Sequence, residues 1–339
     1  MNDYERILED LGGLEESFAG KNILLTGSEG FLGQLFKEFF RYVNKTISSP
    51  CRVISIDKFG GDEYGEEPFI RINIANDWAV HDIFCHEELR GRRINYIINA
   101  AGIASPRNYE KYPEATMDVS YLGTKNILRL ASLFNAEVLC FSSSEIYGNP
   151  TKVPTPESYV GRVEIYSDRG CYDIGKMALE ELCYIYRKLH GVNSQIVRPF
   201  NVVGYMKNDG RVVPTFFEKL IRGEDIQVFE PGQQTRTFCW FTDFIVGAIK
   251  VLLLGDGKPY NIGNPNNEIS MLDLAHKIES VAGFKDKVKT VPTIDVYKTE
   301  PMRRCPCIER ARRDLQYEPK VELDEMLVKF WIWAKENYK

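Results

Sequence analysis

A tyrosine and a lysine four residues apart, Tyr172 and Lys176 in the segment CYDIGK, have the types and spacing to do chemistry. Residues at positions i and i+4 of a helix share one face. A phenol has a pKa of about 10 in water, and a neighbouring ammonium group stabilises the phenolate. The pair therefore predicts a tyrosine that accepts a proton from a substrate near neutral pH.

A second polar group follows the apolar run AEVLCF in the segment FSSSEIYG, which contains Ser143, Ser144 and Glu145. The apolar run predicts a buried strand. A carboxylate at the end of such a strand usually has a hydrogen-bonding partner or a functional role, because burying an unpaired charge is costly. Glu145 is therefore a candidate site residue. The alternative interpretation is that Glu145 only bonds backbone amides at the strand end.

The segment GSEGFLG, residues 27–33, has the glycine spacing G-x-x-G-x-x-G between a predicted strand, KNILLTG, and a predicted helix, LGQLFKEFFRYV. Glycines here let the backbone turn tightly and approach a pyrophosphate, which rests on the helix N-terminus. Asp57 ends the next predicted strand, where a carboxylate accepts both ribose hydroxyls and repels a 2′-phosphate. The pattern predicts NAD rather than NADP as the cofactor.

Predicted strands and helices alternate along the first 200 residues, which indicates a parallel sheet with helices on both faces. We predict an α/β fold: a Rossmann-type doubly wound parallel sheet with a smaller C-terminal α/β substrate-binding lobe. The expected divisions are an N-terminal helical extension at 1–20, an NAD-binding domain at 21–200 and a substrate-binding lobe at 201–339. Some segments of that lobe are expected to return to the sheet.

The bulk composition is that of an ordinary globular protein, with 44% hydrophobic residues, a net charge of −5 and a pI of about 5.6. This charge does not suggest a nucleic-acid surface. The eight cysteines contain no CxxC pair, and the four histidines lack metal-ligand spacing with them. Neither a signal peptide nor a membrane span is evident. We therefore expect a cytoplasmic protein without metal, nucleic-acid or membrane partners.

The order of these motifs resembles the extended short-chain dehydrogenase/reductase family, which acts on nucleotide sugars. Within it, the chain is most similar to UDP-glucuronate decarboxylases (UDP-xylose synthases). The segments that carry this second resemblance are NAAGIASPRNYEKYP, SSSEIYG, RGCYDIGK, DGRVVPTFF, GQQTRTFCW, NIGNP and EPMRRCPCI. The resemblance implies C4 oxidation of a UDP-linked glucuronate, loss of CO2, and a UDP-pentose (UDP-xylose) or its 4-keto form as product.

The resemblance also implies the site residues. The catalytic residues are expected to be Ser143, Ser144, Glu145, Tyr172, Lys176 and Arg304, with Arg303 as the alternative to Arg304. The cofactor-binding residues are expected to be Gly27, Gly30, Phe31, Leu32, Gly33, Asp57, Asn73, Ile74, Ala100, Ala101, Gly102, Tyr172, Lys176 and Pro199. The substrate-binding residues are expected to be Arg107, Tyr109, Asn201, Arg211, Val212, Gln234, Arg236 and Arg304.

Several positions near the sugar differ from the decarboxylase pattern, among them Arg107, Ser120, Ile174 and Cys307. A 4,6-dehydratase, a 4-epimerase or a C4 oxidase therefore stays open on the same scaffold, as does, from another class, an NAD-binding scaffold protein. The resemblance further implies a homodimer built on the helices near 116–134 and 175–190. The apolar residues expected there are Leu128, Leu130, Leu133, Leu182, Tyr184 and Tyr186.

Overall fold

The computed structural model describes residues 2–60, 68–292 and 301–338. Its strands are β1 (Asn22–Thr26), β2 (Arg52–Asp57), β3 (Phe69–Arg71), β4 (Tyr96–Asn99), β5 (Glu137–Phe141), β6 (Ser194–Pro199), β7 (Val202–Val203), β8 (Ile226–Phe229), β9 (Thr235–Thr237), β10 (Cys239–Trp240), β11 (Pro259–Ile262), β12 (Glu268–Ser270), β13 (Val288–Val291) and β14 (Arg303–Arg304).

The α-helices within the same ranges are α1 (Asp3–Leu11), α2 (Phe31–Val43), α3 (Ala79–Phe84), α4 (Pro106–Lys111), α5 (Pro113–Asp118), α6 (Thr124–Phe134), α7 (Gly170–His190), α8 (Val212–Ile221), α9 (Phe241–Leu254), α10 (Met271–Ala282), α11 (Glu309–Leu315) and α12 (Leu323–Asn337). Short 3₁₀ helices span Leu14–Phe18, Glu87–Leu89, Ser144–Tyr147 and Pro265–Asn267, and a π-helical turn spans Val119–Gly123. Within the described ranges, no helix combines the length and apolar character needed to cross a bilayer.

A seven-stranded sheet in the described part of the chain has the order β3-β2-β1-β4-β5-β6-β11, and its neighbouring strands are parallel. The strand order reverses between β1 and β4, where the carboxyl ends of parallel strands leave a crevice for a ligand. This is the predicted Rossmann-type fold. Strand β11 comes from the C-terminal half of the chain, while β7 to β10 and β12 to β14 form smaller sheets.

Alternate residues of each central strand face opposite layers of helices. Leu24 and Val138 pack in a core with residues of α6 and α7. Leu25 and Leu139, each one residue further along, pack with residues of α2 and α9. Burial of each such side chain contributes about 1.5–3 kcal/mol, so these two cores hold the strand ends, and the loops that follow them, in place.

Two helices differ from the sequence prediction. The helix predicted over 116–134 is divided by the π-helical turn at Val119–Gly123, which packs against α7 where Gly175 has no side chain. A Cβ on Gly175 would lie 2.9 Å from the Ser120 Cβ, so this close contact is a tertiary feature. Helix α7 begins at Gly170 rather than near 175, so Tyr172 and Lys176 both lie on it.

The apolar residues expected to form a dimer interface divide into two groups. Leu128, Leu130, Leu182 and Tyr186 are buried in the core of the chain itself, so the interpretation of these four as interface residues is wrong. Leu133 and Tyr184 are exposed. A sequence pattern alone cannot separate these groups, because both the π-helical turn and the packing of α6 on α7 decide which face is covered.

Candidate active site

The glycine loop closes tightly between β1 and α2. Gly27 has a φ of +66°, and a Cβ on it would lie 2.6 Å from backbone atoms of Ala101. A Cβ on Gly33 would lie 2.1 Å from the Gly27 carbonyl oxygen. Gly30 is the N-cap of α2, so the first-turn amides of that helix face the cleft without a capping side chain. This cradle fits the pyrophosphate of a dinucleotide.

The carboxylate of Asp57 lies beside this loop at the end of β2. Its Oδ2 accepts a hydrogen bond from the Glu29 backbone N–H at 3.1 Å, and its Oδ1 accepts one from the Phe59 N–H at 3.1 Å. Glu29 lines the cleft as well, and its carboxylate pairs with Lys37 at 2.9 Å. Two carboxylates at this end fit a ribose with free hydroxyls and oppose a 2′-phosphate.

Nearly all the expected site residues line one cleft, whose volume is about 1940 Å³. Gly33 is the exception: it lies beneath the loop and lets α2 approach β1. The cofactor-side residues brought together there are Gly27, Gly30, Phe31, Leu32, Asp57, Asn73, Ile74, Ala100, Ala101, Gly102, Tyr172, Lys176 and Pro199. Across the described ranges, no cluster of three or more His, Cys, Asp or Glu side chains could hold a metal ion.

Tyr172 and Lys176 lie one helical turn apart at the centre of the cleft. Burial raises the pKa of Tyr172 to about 12, a shift that a hydrogen bond with Ser143 partly offsets. Burial lowers the pKa of Lys176 to about 8. The Lys176 Nζ donates a 2.7 Å hydrogen bond to the Phe141 carbonyl and lies 5.7 Å from the Tyr172 ring centroid. The Tyr172 pKa therefore shifts opposite to the direction expected from sequence, because burial raises it more than the Ser143 hydrogen bond and the charge of Arg211 lower it.

Glu145 has arginine partners from two distant parts of the chain. Arg304 on β14 donates from both of its terminal nitrogens to the two oxygens of Glu145, one of these bonds being 2.8 Å long. Arg169, the N-cap of α7, donates to the same carboxylate. Arg303 instead pairs with Glu268 at 2.6 Å and is exposed. Arg304 is therefore the arginine that reaches Glu145.

Ser143 and Ser144 hold the short helix that carries Glu145. Ser143 is its N-cap, and its hydroxyl accepts a 3.1 Å hydrogen bond from the Glu145 backbone N–H. Ser144 is buried and lines the cleft. Tyr109 stacks on Tyr172 with ring centroids 5.4 Å apart. These contacts place the carboxylate, the hydroxyl groups and the phenol in a single site.

The remaining residues that were expected to bind substrate line the same cleft. They are Arg107, Asn201, Arg211, Val212, Gln234 and Arg236. Arg236 donates at 2.8 Å to the backbone carbonyls of Thr235 and Pro301, and Asn201 donates at 2.8 Å to the Thr237 carbonyl. Each of these two side chains thus hydrogen-bonds nearby backbone carbonyls and also lines the cleft.

Arg169 and Glu29 belong to the site but were not among the residues expected there. Arg169 stands in RGCYDIGK, three residues before Tyr172, and Glu29 stands inside the glycine motif. Their positions within the quoted motifs were the available signal. Each of the two residues contacts a residue 24 or more positions away: the Arg169 side chain donates to Glu145, and the Glu29 backbone N–H donates to Asp57.

The fold, the glycine cradle and the Tyr172–Lys176 pair define an NAD-binding enzyme of the Rossmann type. The model of the NAD dependent epimerase/dehydratase family matches residues 23–263, and the chain belongs to this family. Because the family is NAD dependent, NAD is the cofactor.

The chain is also similar to individual enzymes of known name. UDP-glucuronic acid decarboxylase 3 from Arabidopsis thaliana is 39% identical over 312 residues, which cover 90% of this chain and 86% of the relative. UDP-glucuronic acid decarboxylase 1 from Danio rerio is 34% identical over 91% of this chain and 71% of its own. The structure of UDP-glucose 4-epimerase from Thermotoga maritima has the same fold, with a TM-score of 0.81 at 21% identity, covering 94% and 100% of the two chains.

Proposed function

We propose that this enzyme, which modifies nucleotide sugars, decarboxylates UDP-glucuronate through a C4-keto intermediate. The observation that carries the proposal is Glu145 held by Arg169 and Arg304 beside Tyr172. Guanidinium groups at the sugar end of the cleft favour a substrate that bears its own carboxylate. The relatives named as UDP-glucuronic acid decarboxylases support the same conclusion.

In the first step, Tyr172 accepts the proton of the sugar C4 hydroxyl. NAD, when bound, supplies the hydride acceptor for this oxidation and can return the hydride later. Lys176 stabilises the phenolate of Tyr172 by its charge, and Ser143 hydrogen-bonds the oxygen that becomes the C4 carbonyl.

In the second step, the C5–C6 bond of the β-keto acid breaks. The carboxylate leaves as CO2, and its bonding electron pair becomes the enolate at C4 and C5. Tyr172, now protonated, and Ser143 donate hydrogen bonds to the enolate oxygen. A proton then returns to C5 from a water organised by Glu145 and Arg304, which yields the 4-keto pentose. Reduction at C4 gives UDP-xylose.

The reaction class is tested with purified protein, NAD and a panel of nucleotide sugars, with products identified by mass. We expect a product from UDP-glucuronate that is lighter by the mass of CO2. Loss of water would indicate a dehydratase, an unchanged mass with an inverted C4 an epimerase, and loss of two hydrogens a C4 oxidase. The proposal is contradicted by any of these three outcomes if UDP-glucuronate keeps its C6 carboxylate.

Glu145→Gln separates decarboxylation from oxidation. The substitution keeps the size of the side chain but removes its charge and its capacity to move a proton. General acid–base groups contribute about 10²–10⁴-fold, so turnover to the decarboxylated product should fall by that order while NAD affinity stays the same. Tyr172→Phe should instead abolish NADH formation. A folded Glu145→Gln protein with near wild-type turnover would show that Glu145 only supports the end of the strand.

A further inference from the structure

Residues near both termini, Asp3 and Tyr338, form hydrogen bonds with one loop of the cleft. We call it the substrate loop and define it as residues 204–211. The Tyr205 hydroxyl donates a 2.8 Å hydrogen bond to Oδ2 of Asp3, in α1. The Tyr338 hydroxyl, just beyond α12, donates a 2.7 Å hydrogen bond to the Met206 carbonyl. The loop residues that line the cleft are Tyr205, Met206, Lys207, Asp209, Gly210 and Arg211.

Arg211 takes its orientation from this loop and from the cofactor side. Its Nη1 lies 3.6 Å from the Met206 sulfur and 3.3 Å from Oδ2 of Asp209. Its guanidinium lies 5.3 Å from the centroid of the Phe31 ring, at the start of α2. A displacement of Met206 or Asp209 would therefore move the guanidinium relative to a bound diphosphate.

The contact between α1 and the loop is partly buried, and both of its side chains have further partners. The carboxylate of Asp3 is 9% exposed and also pairs with Lys329 at 2.5 Å. The Tyr205 ring packs 5.2 Å from Trp240 and 5.4 Å from Phe241. Burial and the hydrogen bond to Asp3 raise the pKa of Tyr205, so its phenol stays a donor at any working pH.

We propose that α1 is a positioning segment for substrate binding. Asp3, acting through Tyr205, holds the substrate loop in the conformation in which Arg211 meets the diphosphate of a nucleotide sugar. Asp3 and Tyr205 are thus positioning residues, and α1 contributes to affinity for the nucleotide. The inference rests on the proposed function in one respect, namely that the ligand carries a nucleoside diphosphate.

The test compares Asp3→Ala and Tyr205→Phe with wild-type protein in calorimetric titrations of the NAD-loaded enzyme with UDP. We expect the Kd for UDP to rise roughly three- to tenfold in each variant, with the Kd for NAD unchanged. The KM for the nucleotide sugar should rise with it while kcat stays within about twofold. The double variant should bind UDP about as tightly as the weaker of the two single variants, because both substitutions remove the hydrogen bond between Tyr205 and Asp3.

Asp10→Ala is the matched control. Asp10 lies on the same helix, is 8% exposed and pairs with Lys320 at the opposite end of α1 from the loop. The UDP affinity of Asp10→Ala should equal that of the wild type. An unchanged Kd for UDP in Asp3→Ala and Tyr205→Phe overturns the inference but not the proposed function, as does an equal loss of affinity in Asp10→Ala. Wild-type protein that does not bind UDP overturns the proposed substrate class and the inference together.

Discussion

Burial shifts the pKa values of Tyr172 and Lys176 in opposite directions, to about 12 for Tyr172 and to about 8 for Lys176. In the proposed mechanism, the form active in C4 oxidation has Tyr172 deprotonated and Lys176 protonated. As pH rises toward 8, the fraction with deprotonated Tyr172 grows while Lys176 keeps its charge. Above 8, loss of the Lys176 proton cancels any further gain.

We therefore expect kcat/KM for the oxidation to rise roughly tenfold per pH unit up to about pH 8 and then to level off. Stopped-flow NADH absorbance across this pH range measures the profile. In Lys176→Met the rate should be lower but should keep rising above pH 8, since only the phenol titrates. A flat wild-type profile from about pH 6 to about pH 9 would contradict these roles.

At the scale of elements, the cofactor site depends on how closely α2 approaches the end of β1. The atoms that a Cβ on Gly33 would meet belong to the backbone of Gly27 and Ser28, at 2.1 Å and 2.6 Å. Backbone atoms cannot yield as a flexible side chain can. A side chain at this position must therefore push α2 away from the sheet and open the pyrophosphate cradle.

Gly33→Ala should lower the free energy of unfolding by about 1–3 kcal/mol and weaken NAD binding strongly. Denaturant unfolding and NAD titration measure the two effects. Gly30→Ala is the stability control in the same loop, because its Cβ would lie 3.2 Å from the Gly27 carbonyl oxygen, a much wider contact than the 2.1 Å at Gly33. An equal loss of unfolding free energy in the two variants would show that the close approach of α2 to β1 is not what Gly33 provides.

At the scale of the whole molecule, apolar side chains are exposed on α7 and on the two elements that pack against it, α6 and the π-helical turn. We define the surface that they mark by Tyr121, Leu133, Met177 and Tyr184. Exposed apolar patches of this kind mark contact surfaces. We propose that this surface, and not the core residues first expected there, joins two copies of the chain in a homodimer.

Light scattering at micromolar concentration should give the mass of a dimer for the wild type. Met177→Lys combined with Tyr184→Lys should give a monomer, because two charges would be buried unpaired at the interface. Ile332→Lys, on α12, is the control, since Ile332 is also exposed but lies on another surface. A wild-type monomer would contradict the proposal.

The local sequence was sufficient to predict the features that depend on short-range geometry. The strand, glycine loop and helix around residues 27–33 follow from hydrophobic periodicity and turn chemistry, as does the position of Asp57 at a strand end. The spacing of Tyr172 and Lys176 places them on one helix face whatever the rest of the fold does. The order of these motifs was enough to predict the parallel fold and NAD as the cofactor.

Only the tertiary structure decided which side chains meet across long separations. Arg304 rather than Arg303 reaches Glu145 because alternate residues of β14 point to opposite faces, and the neighbouring strand β9 sets which face is the cleft. Asp3 meets Tyr205, 202 residues away, because α1 packs on α9 near the loop. Burial, which also comes only with the complete fold, raises the pKa of Tyr172 against the effect expected from its neighbouring lysine.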